Sequence, residues 1–101
     1  MNIENLYSTG VYTQKGDYST RNDYSMVDRA MLLIDNGHFE EADLLVSAEL
    51  LFCSGDAQLW LVAGLARFHK GNLRSARAAF RMSAWLDDNA MAREMLAVIE
   101  R

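Results

Sequence analysis

The stretch LWLVAGLARFHKGNLRSARAAF (Leu59–Phe80) decides the fold, because it reads as two helices joined by a short turn. Gly64 lies in the middle of the first helix, where a glycine costs about 1 kcal/mol relative to alanine. We expect this cost to be offset by a close approach of a neighbouring helix at Gly64. Gly71 follows the first helix, at a position where glycine adopts the left-handed conformation without strain.

Breaks in the helical pattern recur along the chain, at 35–39, 53–56, 70–73 and 87–90. They predict five helices near 23–36, 39–52, 57–69, 73–86 and 89–100. The turns are short, so we expect neighbouring helices to pack antiparallel. The sequence therefore predicts an all-α fold.

Residues 1–22 are polar and show no helical period, although they contain Tyr7, Tyr12 and Tyr18. One interpretation is a flexible N-terminal arm. The other is an arm that docks its tyrosines on the domain or on a partner, since tyrosine is a favoured anchor residue. The helical domain is then predicted at 23–101.

The composition narrows the classes of function. The net charge of −4 in 101 residues, with an isoelectric point near 5.0, argues against nucleic acid and anionic membranes as main partners. The single cysteine, Cys53, forms no internal disulfide, which fits a reducing compartment. There is no signal-peptide pattern and no apolar run that could span a membrane. We expect a cytoplasmic protein.

The sequence repeats itself with a period of 34 residues. The aligned residues agree in size or apolar character: Ala30 with Gly64, Gly37 with Gly71, Ala42 with Ala76, and Val46 with Phe80. A period of this length is typical of repeat proteins built from helical hairpins.

The second unit resembles a tetratricopeptide repeat, with Trp60, Ala63, Gly64, the turn Gly71, Ala76 and Phe80 at signature positions. One departure is Arg67, which stands where the family usually has tyrosine. The resemblance implies tetratricopeptide-like helical hairpins, with repeats at 23–56 and 57–90 and a C-terminal capping helix at 89–100.

The first helix of each repeat would line the concave groove of a tetratricopeptide array. The groove positions that the resemblance implies are Val27, Met31, Ile34, Leu61, Leu65, Phe68, Met95 and Ile99. They are apolar, so the groove suits a protein partner that presents an amphipathic or apolar helix. Alternatively, the N-terminal arm or a second copy of the chain covers this surface.

Charge is divided between the two repeats. The segment 30–66 has six acidic residues and no Lys or Arg, whereas the segment 57–86 has five basic residues and no acid. Either the repeats attract each other across their contact, or the two charged faces mediate self-association. An RNA contact is not supported by any binding motif.

No arrangement of residues points to catalysis. Cys53, His38 and His69 are not spaced as a zinc site, and the glycines do not form a phosphate-binding loop. We interpret Cys53 as a small buried hydrophobe. The sequence predicts a protein that is not an enzyme and has no cofactor.

Within the tetratricopeptide family, residues 37–88 resemble the small chaperones of bacterial type III secretion. That resemblance implies a bacterial cytoplasmic chaperone that covers an apolar helix of a secreted needle or translocator subunit before export, alone or with a co-chaperone. An uncovered apolar stripe would otherwise aggregate. The alternative is a generic two-repeat adaptor or scaffold with no role in secretion.

Overall fold

A computed structural model describes residues 25–101, so the predicted arm and residues 23–24 lie outside the described part. Within it the chain forms five helices: α1 (Met26–Asp35), α2 (Phe39–Leu50), α3 (Ala57–His69), α4 (Leu73–Leu86) and α5 (Ala90–Ile99). Residues 25–101 contain no strand. The all-α prediction is confirmed for this range, and the predicted helix ends agree to within a few residues.

Polar side chains fix where most of the helices begin. Ser25, Asp56, Asn72 and Asn89 each accept a hydrogen bond from a backbone N–H two or three residues further on. Such N-caps satisfy backbone donors that a helix start leaves unpaired, and each contributes about 1 kcal/mol. His38, before α2, makes no side-chain cap.

The turns after α1 and α3 have the same structure. Gly37 and Gly71 have φ angles of 82° and 87°. The N–H of Gly37 donates to the carbonyl of Ile34 at 3.0 Å, and the N–H of Gly71 donates to that of Phe68 at 3.0 Å. The N–H of the residue after each glycine, His38 or Asn72, donates to the carbonyl five residues earlier. This is a left-handed helix cap. The predicted role of Gly71 is confirmed, and Gly37 has the same role.

Each helix packs against the next one along the chain, and α1 also contacts α3. Small and branched apolar side chains fill the space between the helices. The buried apolar residues are Ala30, Ile34, Ala42, Val46, Leu50, Leu59, Val62, Ala63, Ala66, Ala76, Ala79, Phe80 and Ala92. Only Ala92 of this set comes from α5, which therefore leaves most of its apolar side chains at least partly exposed.

The ring of Phe80 lies directly against Gly64. A Cβ atom added at Gly64 would be 2.6 Å from two carbons of that ring and 2.9 Å from a third. Phe80 is fully buried, so its ring has little room to move away. The prediction of a close approach at Gly64 is confirmed, and the group that fills the space is an aromatic ring of α4.

Gly64→Ala is expected to destabilise the fold by about 1–3 kcal/mol, because overpacking a tight site outweighs the gain in helix propensity. The measurement is urea unfolding followed by circular dichroism. Gly55→Ala is the matched control, since nothing lies within 4 Å of a Cβ at Gly55.

The same substitution in a Phe80→Leu background should cost much less, because the smaller side chain leaves room for the new methyl group. Equal costs of Gly64→Ala in the two backgrounds would show that the ring is not what requires glycine.

Candidate protein-binding surfaces

Seven of the eight groove positions have half-buried side chains. The exception is Ile34, which is only 8% exposed and belongs to the hydrophobic core. Ile34 therefore offers little surface to a partner. Val27, Met31 and Leu65 also pack against the core, while one side of each stays accessible.

The half-buried positions recur at the spacing of the repeat. Val27, Leu61 and Met95 are separated by 34 residues each, and so are Met31, Leu65 and Ile99. They form three short apolar rows on α1, α3 and α5. We call these six residues together with Phe68 the groove set.

Two surface depressions include members of the groove set. One is lined by Met31 and Leu32 of α1 together with Asp28 and Asp35. The other contains Leu61 and Met91 and lies where α3 begins and α5 follows α4. Both depressions are lined by a mixture of apolar and polar side chains.

Phe68, at the end of α3, is fixed by aromatic contacts. Its ring meets the ring of His69 edge-on, with 5.7 Å between centroids. The other side of His69 stacks on Phe39 at 4.9 Å, with the two ring planes 15° apart. These contacts tie the end of α3 to the start of α2.

The most exposed large apolar side chains lie outside the groove set. On α2 and just after it, Leu44 is 64% exposed, Leu51 82% and Phe52 85%. Together with exposed Ala48 they follow one face of the helix, opposite the buried Ala42, Val46 and Leu50. We call Leu44, Ala48, Leu51 and Phe52 the α2 stripe.

A second stripe occupies the corresponding face of α4. Ala78, Met82 and Trp85 are all exposed, and Trp85 is 81% exposed. These three, here called the α4 stripe, line a shallow depression with Arg81. They lie 34 residues after Leu44, Ala48 and Leu51, so the repeat alignment contained a signal for both stripes that the sequence analysis missed.

The side chain of Cys53 is exposed, which shows that its interpretation as a buried hydrophobe is wrong. The reason is that α2 ends at Leu50, so Cys53 lies in the connection to α3. Its thiol approaches a carboxylate oxygen of Glu49 at 3.8 Å. Within residues 25–101 no group of three or more His, Cys, Asp or Glu side chains could hold a metal ion.

A group of charged side chains joins α2 to α3. The guanidinium of Arg67 donates to a carboxylate oxygen of Asp43 at 3.1 Å, and it also donates to Ser47 at 3.1 Å. Lys70 contacts the other carboxylate oxygen of Asp43 at 2.7 Å and Glu40 at 2.8 Å. Ion pairs therefore join the acidic α2 to the end of α3, as the first of the two interpretations of the divided charge expects.

This arrangement shifts two pKa values. Burial acts to raise the pKa of Asp43, but hydrogen bonds from Lys70 and Arg67 outweigh it, and the pKa lies below its ordinary value. Hydrogen bonds to Asp43 and Glu40 raise the pKa of Lys70. Both charged forms are therefore favoured by the fold.

No family model, curated protein or solved structure matches this chain. In the described range, the helices are too short or too polar to cross a membrane.

Asp43→Asn is expected to lower the free energy of unfolding by about 1–3 kcal/mol near neutral pH, because Arg67 and Lys70 lose a charged acceptor. A depressed carboxyl pKa contributes stability above the ordinary pKa, and the contribution is lost as the pH falls through that range. The difference between wild type and variant should therefore shrink from about pH 5 downward.

Urea unfolding between pH 7 and pH 3 measures this difference. Glu94→Gln is the control, since Glu94 is exposed and makes no salt bridge within residues 25–101. A difference that stays constant with pH would contradict an electrostatic role for Asp43.

Proposed function

We propose that the chain is a tetratricopeptide-type protein-binding module that covers an apolar helix of a secreted needle or translocator subunit before export from the bacterial cytoplasm. The observation that carries this proposal is the groove set, a row of half-buried apolar side chains repeated on α1, α3 and α5. The identical turns and the equivalent buried residues of the two hairpins support the tetratricopeptide assignment.

The chemistry of the groove set determines the kind of partner. Its side chains are aliphatic, methionine or phenylalanine, and it has no basic residue that would pair with an acidic peptide. Methionines such as Met31 and Met95 adapt to irregular surfaces. An amphipathic helix could place its apolar side against these rows and keep its polar side in water.

Partial burial also favours binding over a purely structural role. A residue such as Leu61 already has part of its surface covered, so its rotamers are restricted before a partner arrives. Binding then loses less side-chain entropy than it would at a fully mobile site. The side chains of the groove set are therefore partly preorganised for binding.

The alternative is an adaptor that binds through its outer faces and has no secretion role. The exposed apolar side chains of the α2 and α4 stripes favour this alternative. The two functions use different helices, so substitutions can separate them.

Leu61→Glu is expected to abolish capture of the secreted subunit, because a carboxylate in an apolar contact must be desolvated without a partner. Leu61 is a better probe than Leu65, since Leu65 packs against the hydrophobic core and its loss would also weaken the fold. The measurement is copurification from a secretion-competent host, with mass spectrometry of the captured proteins.

Met82→Glu, on the α4 stripe, is the matched control and should retain the subunit. Circular dichroism must show native helix content for both variants. If the folded Leu61→Glu protein captures a needle or translocator subunit as wild type does, the groove is not the binding site. If only the Met82→Glu protein fails to capture its binding partner, the adaptor function is supported in place of the chaperone function.

A further inference from the structure

The α2 and α4 stripes carry opposite charges beside their apolar residues. On α2, Glu41 lies on the same face as Leu44 and Ala48, and its side chain is 64% exposed. On α4, Arg74 and Arg81 lie beside Ala78 and Trp85. The segment 73–86 has no acidic residue, and the segment 39–50 has no basic one.

The charges near the starts of the two stripes are not neutralised within residues 25–101. Among the ion pairs within residues 25–101, Glu41 has one, with the ring nitrogen Nδ1 of His38 at 3.1 Å. Arg74 is exposed and has no carboxylate partner there. Arg81 differs, because it already pairs with Glu100 at 2.8 Å.

We propose that the α2 stripe of one copy packs on the α4 stripe of a second copy, so that two copies form a two-fold dimer. Such a dimer uses each stripe once and leaves neither exposed, which closes the assembly. A parallel pairing of two α2 stripes would place Glu41 near Glu41, and a parallel pairing of two α4 stripes would place Arg74 near Arg74. An antiparallel pairing of like stripes would leave these charges without an opposite charge, because segment 39–50 has no basic residue and segment 73–86 has no acidic one. Opposite charges therefore select the mixed pairing.

The order of residues along the stripes also sets the direction of the helices. Glu41 and Arg74 lie near the beginning of their helices, whereas Phe52 and Trp85 lie at or just past the end. A parallel arrangement brings Glu41 to Arg74 and the aromatic rings together. An antiparallel arrangement would place each charge against an exposed ring and lose the charge pair.

The stripes have the composition of an interface core. Aromatic residues, methionine and arginine are enriched in such interfaces, and tryptophan is a frequent energetic centre. Trp85 and Phe52 are the aromatic side chains that a second copy would cover. The groove set lies on α1, α3 and α5, so the dimer does not depend on the proposed cargo function.

Sedimentation equilibrium tests the dimer. Wild type should show a concentration-dependent dimer that weakens as salt rises. Glu41→Arg and Arg74→Glu should each raise the dimer dissociation constant by about tenfold or more. The combined Glu41→Arg/Arg74→Glu variant should return most of the affinity, since the pair is restored with exchanged signs.

The controls are Glu94→Arg and Arg29→Glu, which reverse exposed charges on α5 and α1. Neither should change the dissociation constant more than a few fold. Far-UV circular dichroism confirms that every variant is folded. A monomeric wild type, or single reversals on the stripes that act no more strongly than the controls, would overturn the proposal.

Fluorescence of Trp85 gives a second, local measurement. The chain has two tryptophans, so Trp60→Phe leaves Trp85 as the only one. Its emission should shift to shorter wavelength as the protein concentration rises and the ring becomes covered. Emission that stays that of an exposed indole in a sample shown to be dimeric would place the interface elsewhere and refute the pairing.

Discussion

The contact of the Phe80 ring with Gly64 is the interaction on which the second half of the molecule depends. It sets how closely α4 lies on α3, because a Cβ atom at residue 64 would be 2.6 Å from the Phe80 ring, which is itself fully buried. With α4 held there, the hydroxyl of Ser83 donates to the carbonyl of Ala57 at 2.8 Å. A buried hydroxyl needs such a partner. The Ser83 hydroxyl also accepts a hydrogen bond from the Asn89 side chain at 3.2 Å.

Asn89 links Ser83 of α4 to the start of the last helix, α5. Its side-chain oxygen accepts from the N–H of Ala92 at 2.8 Å, which fixes the first turn of α5. Close packing at Gly64 is thus connected to the start of α5 through two polar side chains. Substitution of Ser83 by alanine would leave Asn89 and the Ala57 carbonyl without this partner, although it would scarcely change the apolar packing.

The helix ends were predictable because they depend on local rules. A turn glycine, an Asx cap and a 34-residue alignment identify them without knowledge of the tertiary contacts. Arg67 shows how the tertiary structure adds information, because its guanidinium reaches back from α3 to Asp43 of α2. From spacing alone, a charge at this position has no evident partner.

The burial of individual side chains was less predictable than the helix ends. Ile34 has the same repeat position as Phe68, yet it is buried in the core while Phe68 remains half exposed. Leu51, Phe52 and Cys53 continue the apolar character of α2, but the helix ends before them and leaves them exposed. The exposure of each depends on which neighbour lies over it, and a single sequence does not contain that geometry.

The two proposed surfaces place different demands on the chain. The groove set must remain accessible until a partner arrives, so its residues are half buried, and Val27, Met31 and Leu65 pack on the core from one side. The outer stripes have no such core support, and large apolar patches left in water promote nonspecific association. The stripes belong to α2 and α4, whereas the groove set belongs to α1, α3 and α5. A dimer through the stripes would therefore cover the stripes and leave the groove set accessible. A chain of this size could then protect its most apolar surface and still keep a binding site open.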